Sequence, residues 1–169
     1  MRDKRFIAKH RGGPLTKEEH KLLILWSCKC VEHVLPLYGE KIPNEITNAL
    51  QTAKLWAKEQ ASVGNARNCA FALLKLARTL KDDTQIYIVR AAQHCVSTAH
   101  MADHSSGAAE YALKALLSAG KPIDQERKYQ DKILPKDIKE LVLTSRANKN
   151  KFWKSSFQNT IKKRNKLMN

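Results

Sequence analysis

The densest run of reactive side chains is His94-Cys95-Val96-Ser97-Thr98-Ala99-His100-Met101-Ala102-Asp103-His104. Read as helix, it places His100 and His104 one turn apart on a shared face, with Asp103 beside them. Two imidazoles at that spacing can hold zinc while a neighbouring carboxylate takes a proton from metal-bound water. Asp103 is one methylene shorter than the glutamate that usually plays this part. A third ligand would have to come from Glu110, Asp124, Glu126, His33 or His10, and spacing does not rank them. The same groups serve equally well as a polar core, each imidazole bonded to a carbonyl or carboxylate. A third use is a pocket for a ligand or partner built from His10, Arg11, His94, His100, Asp103 and His104.

Other chemistry is thinner. The loop His10-Arg11-Gly12-Gly13 offers a basic pair and free amides to an anion. It lacks the Lys-Ser/Thr pair of a phosphate-binding loop, and no strand precedes it. The expectation is that it packs across the helices with Arg11 paired to a carboxylate. His33 sits where a helix C-terminus favours a cationic ring. The chain has no Gly-x-Ser-x-Gly elbow and no deaminase or kinase signature. The residues therefore point to a protein that is not an enzyme and needs no cofactor. A divalent metal on His100, His104 and Asp103, serving a metal-dependent enzyme or a small-ligand site, is the alternative.

The elements that must position these groups are helical. Thr16 and Glu19 form a capping-box pair ahead of a helix over about 17–35, ended by Pro36 and Gly39. Asn44 is read as the cap of a second helix that finishes by Ser62-Val63-Gly64. A third covers about 65–80, and Asp82-Asp83-Thr84 restart the chain for a fourth that runs through Met101. Ser105-Ser106-Gly107 break or weaken the path to Ala108–Ala119, and Gly120 and Pro122 close it. Two further helices start at Asp124 and after Pro135. No segment alternates like a half-buried strand for more than about five residues. Short helices with short connections predict an all-α fold, an antiparallel bundle or stacked hairpins of about six to seven helices.

The chain has 169 residues and a net charge of +15. Residues 1–14 carry +4, residues 15–145 only +3, and residues 146–169 carry +8 with no acid. A single helical domain over 1–148, with an ordered N-terminal loop at 1–15, is thus followed by a basic segment at 149–169. That segment interleaves lysines with Phe152, Trp153 and Phe157, spaced for a docked amphipathic helix. As a free tail, Lys151, Trp153, Lys154, Lys162, Lys163 and Arg164 would suit nucleic acid or an anionic membrane surface. Cys28, Cys30, Cys69 and Cys95 follow no metal or redox spacing and read as reduced, buried thiols. With no secretory h-region and no membrane-length apolar run, the expected location is cytoplasmic.

Several stretches together resemble a bacterial family of immunity proteins, whose domain is like the fifth immunity type of polymorphic toxin systems. They are Arg5–Leu15, Glu32–Leu37, Thr98–His104, Gly107–Ala115 and Leu134–Leu143, and the likeness covers about residues 5–147. It implies an all-helical protein that binds and neutralises a toxin, made by the same or a neighbouring cell, by occluding it. No catalytic residues come with the family. A charge of +15 adds the expectation of an acidic patch on that toxin.

Overall fold

The computed structural model describes residues 3–168, apart from the side chains of residues 150, 151, 167 and 168. Eight α-helices account for most of it: α1 (Lys17–Val34), α2 (Asn44–Ala57), α3 (Val63–Thr79), α4 (Asp83–Ser97), α5 (His104–Ser118), α6 (Asp124–Lys132), α7 (Lys136–Asn148) and α8 (Asn150–Met168). The class is all-α as expected, with one helix more than the six or seven foreseen, and no strand among the described residues. The extra helix is α8, formed by the basic C-terminal segment.

Capping chemistry sets the ends. Thr16 Oγ1 accepts from the Glu19 amide at 3.1 Å, and the Glu19 carboxylate accepts from the Thr16 amide at 2.8 Å, completing the expected box. Ser62 was expected to end the second helix; instead it caps α3 in the same reciprocal way with Asn65. Val63 and Gly64 therefore belong to the first turn of α3. The second helix ends earlier, at Ala57, where Glu59 takes a left-handed conformation with φ 63°. Asn44 is the first helical residue of α2 rather than its cap, a place held by Pro43.

The larger correction concerns α4. It stops at Ser97, not Met101, and Thr98–Asp103 turn the chain before α5 begins at His104. Ser105, Ser106 and Gly107 thus open α5 instead of breaking a helix. All three are buried, where small residues let helices approach closely.

Two apolar clusters hold these helices together. One joins α1–α5 through residues such as Ile24, Val31, Ile46, Leu73, Ile88 and Val96, with α4 packed against α1, α2, α3 and α5. The other lies on the opposite side of α1, where Phe6 and Leu15 meet Leu23, Trp26, Ile138 and Val142. The N-terminal segment is thereby tied to α7, and Arg5 Nη1 also donates to Thr144 Oγ1 at 2.8 Å.

Candidate functional site

The turn between α4 and α5 gathers the predicted histidines, though not on one helix. His94 comes from the end of α4, His100 from the turn, and His104 from the start of α5. His94 Nδ1 and His104 Nδ1 share a hydrogen bond at 2.9 Å, so one nitrogen donates and the other accepts. The His94 ring stacks on Tyr111 with centroids 5.0 Å apart, and the His100 and His104 rings stand 5.3 Å apart. Burial first, then His104 and Arg90, push His94 down to about 3. Burial also lowers His100, with His104, Arg67 and Arg11 acting in the same sense and Asp103 against it. At neutral pH His94 and His100 are accordingly uncharged.

Gly107 makes the pair possible. A Cβ at this position would stand 2.6 Å from His94 Nδ1, so the ring occupies the space a side chain would need. A fourth histidine, His20 of α1, approaches the same turn: its Nε2 lies 2.6 Å from the Thr98 carbonyl and donates to it. Burial lowers His20 as well, despite that bond.

A metal set is not assembled here. Among the described residues no group of three or more His, Cys, Asp and Glu side chains converges to hold an ion. Glu110, Glu126 and His33 belong to a separate polar cluster among α5, α6 and α7. Glu110 is 2% exposed; it faces Arg146 Nε at 3.2 Å, with Arg127 Nη2 3.6 Å off. Arg146 also pairs with Asp131 and donates to Gln130 Oε1 at 3.0 Å. Gln130 Nε2 donates to the Ala109 carbonyl at 3.1 Å, and Trp26 Nε1 to the Gln130 carbonyl at 3.0 Å. Glu126 accepts from His33 Nδ1 at 2.5 Å, while His33 stacks on Tyr129. These bonds tie α1, α5, α6 and α7 together and give His33 a structural partner.

His10 and Arg11 lie on the N-terminal loop, and both are exposed. Arg11 does not pair with a carboxylate as expected: its Nη1 donates to the His100 carbonyl at 3.3 Å, pinning the loop to the α4–α5 turn. Arg67 and Phe71 of α3 were not singled out in the sequence. With Gln93, Ser97, His100 and His104 they line a shallow depression of about 220 Å³ on the outer side of the turn. Phe71 is 55% exposed there. A bare phenylalanine one turn from an arginine was the available signal, but their closeness to the histidines comes only from α3 packing on α4.

The basic C-terminal segment is docked. Trp153 meets Tyr111 edge-on at 6.2 Å, Arg127 lies over Phe157, and Thr160 is buried within 3.3 Å of the Tyr87 hydroxyl. Trp153, Tyr111 and Tyr87 surround the Lys114 ammonium at 5.1–6.0 Å. Lys163 pairs with Asp83 at 2.5 Å, and Arg164 donates to the Leu117 carbonyl at the end of α5. Lys154 and Lys162 remain exposed, and the side chain of Lys151 lies outside the described residues.

The described geometry is that of an all-helical protein. Its polar centres are largely bonded internally, though His100 Nδ1 and Glu110 Oε2 are buried without a hydrogen-bond partner among the described residues, and exposed cations and one bare aromatic ring surround the α4–α5 turn. Residues 13–137 match the family described as Imm-5 like putative immunity protein, and the chain belongs to that family. No curated protein and no solved structure matches the chain. The match takes in α1–α6 and leaves α8 outside it. No helix among the described residues is long and apolar enough to cross a membrane.

Proposed function

We propose that this chain neutralises a protein toxin by binding and covering it, without catalysis, through the face around the α4–α5 turn. The family membership over 13–137 carries this reading. The site adds a direction. Phe71 is the kind of exposed aromatic side chain that anchors interfaces, and Arg67 beside it, with Arg11 on the adjoining loop, favours a carboxylate-bearing partner. The His94–His104 hydrogen bond holds the turn in place beneath that patch. The body that would bind is nearly balanced in charge, with +3 over residues 15–145, and much of the excess lies on α8.

The test is a capture from lysate of the native host at moderate salt with nuclease added, using the full chain and a 1–148 truncation. The expected catch is one near-stoichiometric protein, retained by both forms, that stops growth when expressed alone and is harmless when this chain is co-expressed. Phe71→Ala should weaken its binding about thirty-fold, the loss expected of an interface anchor. Recovery of nuclease-sensitive material alone, lost on truncation, would overturn the reading.

A further inference from the structure

On the inner side of the same turn a groove of about 370 Å³ runs between the N-terminal loop and the body. Its apolar walls include Phe6, Leu15, Trp56, Val63, Met101 and Ala102. Every ionisable side chain along it is basic or histidine, and no carboxylate lines it. Lys17 is already paired with Glu59 at 2.7 Å. Lys9 and His10 are exposed and have no ion-pair partner among the described residues, and Arg11 spends one N–H on the His100 carbonyl. One end of an otherwise apolar groove therefore carries cationic groups without counter-charges.

The groove is built rather than incidental. The Lys9 amide donates to the Leu15 carbonyl at 2.9 Å and the Leu15 amide to the Ile7 carbonyl at 3.0 Å. Gly12 turns the loop at φ +79°, and a Cβ on Gly13 would fall 2.0 Å from the Ile7 carbonyl oxygen. The loop thus keeps the one shape that holds Lys9, His10 and Arg11 along the groove. His20, fixed to the Thr98 carbonyl, and half-buried Trp56 stand 4.8 Å apart ring to ring on the opposite wall. A volume near the lower end of the roughly 300–1,000 Å³ typical of small-ligand pockets suits a compact molecule.

We propose that this groove binds a small organic acid, with an apolar ring system seated against Trp56 and Met101 and its carboxylate held by Arg11, Lys9 and His10. This groove adjoins the depression around Phe71, with His100 lining both, but its binding of a small acid does not depend on a toxin partner.

The test is a two-dimensional amide NMR titration of the full-length chain with indole-3-propionate, its alcohol 3-indolepropanol, and acetate. Indole-3-propionate should shift the Trp56 indole N–H and the amides of residues 9–11 saturably, with a dissociation constant of about 1 mM or tighter. The alcohol should bind about five-fold more weakly for want of the charge, and acetate should produce none of the Trp56 shift. Arg11→Gln should weaken the acid about five-fold and the alcohol by a smaller factor, since it also removes the loop's bond to the His100 carbonyl. Lys9→Gln, which removes no contact in the fold, should weaken the acid by a smaller factor. Equal binding of acid and alcohol, an acetate response matching that of the indole acid, shifts mapping elsewhere, or no saturable shift would each overturn the proposal.

Discussion

His94 and Gly107 form a single packing decision shared by two residues. The imidazole lies where the Cβ of any other residue at 107 would stand, held by its bond to His104 and its stacking on Tyr111. In the sequence Gly107 resembles a helix breaker, because glycine costs about 1 kcal/mol relative to alanine inside a helix. Gly107→Ala should nonetheless destabilise the protein, by about 1–2 kcal/mol in urea unfolding, since overpacking outweighs the propensity gain. In a His94→Ala background the same change should be neutral or stabilising. Equal effects in both backgrounds would show that the ring does not set the requirement. The histidine cluster was legible in the sequence as a cluster, because its members lie within eleven residues. Its geometry was not, because a turn at 98–103 replaced the helix assumed to carry it.

At the scale of elements, local signals located most helices and tertiary packing corrected their ends. The Thr16–Glu19 box was readable because both partners lie within one turn, while the apolar spacing of the C-terminal segment left a docked helix and a free tail both open. Ser62 was misread because the same residue types end one helix and cap the next. The buried network of Glu110, Arg146, Asp131 and Gln130 was illegible because its members come from α5, α6 and α7. That network should be costly to open. Burial lifts the Glu110 carboxyl above the usual carboxylate range even with two arginines near it. Arg146→Met would leave Glu110 and Asp131 facing each other without their shared cation. The expected loss in urea unfolding is about 3 kcal/mol, with the Glu110→Gln, Arg146→Met double variant losing less than the sum of the two single changes. A loss below about 1 kcal/mol would mean the bridge contributes little.

For the whole molecule, the neutral histidines impose a pH dependence. His94, His20 and His100 all titrate below 6.5 in the folded chain, His94 near 3, whereas in the unfolded chain they take up protons near 6.5. On acidification the unfolded state binds protons first, so stability is complete above about pH 6.5 and is lost as pH falls towards 3. His94 alone should cost about 2 kcal/mol between pH 7.5 and pH 5, since 1.5 units of suppressed protonation correspond to that amount. Urea unfolding at the two pH values checks this, and His94→Gln should flatten the difference. Glu110 works in the opposite direction, because protonating its raised carboxyl removes a buried charge. Stability unchanged between the two pH values would show that the histidine pair is hydrated. The seam between the N-terminal segment and α7 has a consequence in time. Phe6 and Leu15 pack with Ile138 and Val142, and Arg5 meets Thr144 across 139 positions of sequence. While the chain is being synthesised, α1–α5 can close their own cluster as soon as they emerge, but the first fifteen residues must wait for nearly the last thirty. Until then Phe6 and Leu15, which anchor the cationic loop, lack their α7 partners, so the groove beside that loop is among the last features of the molecule to be fixed in place.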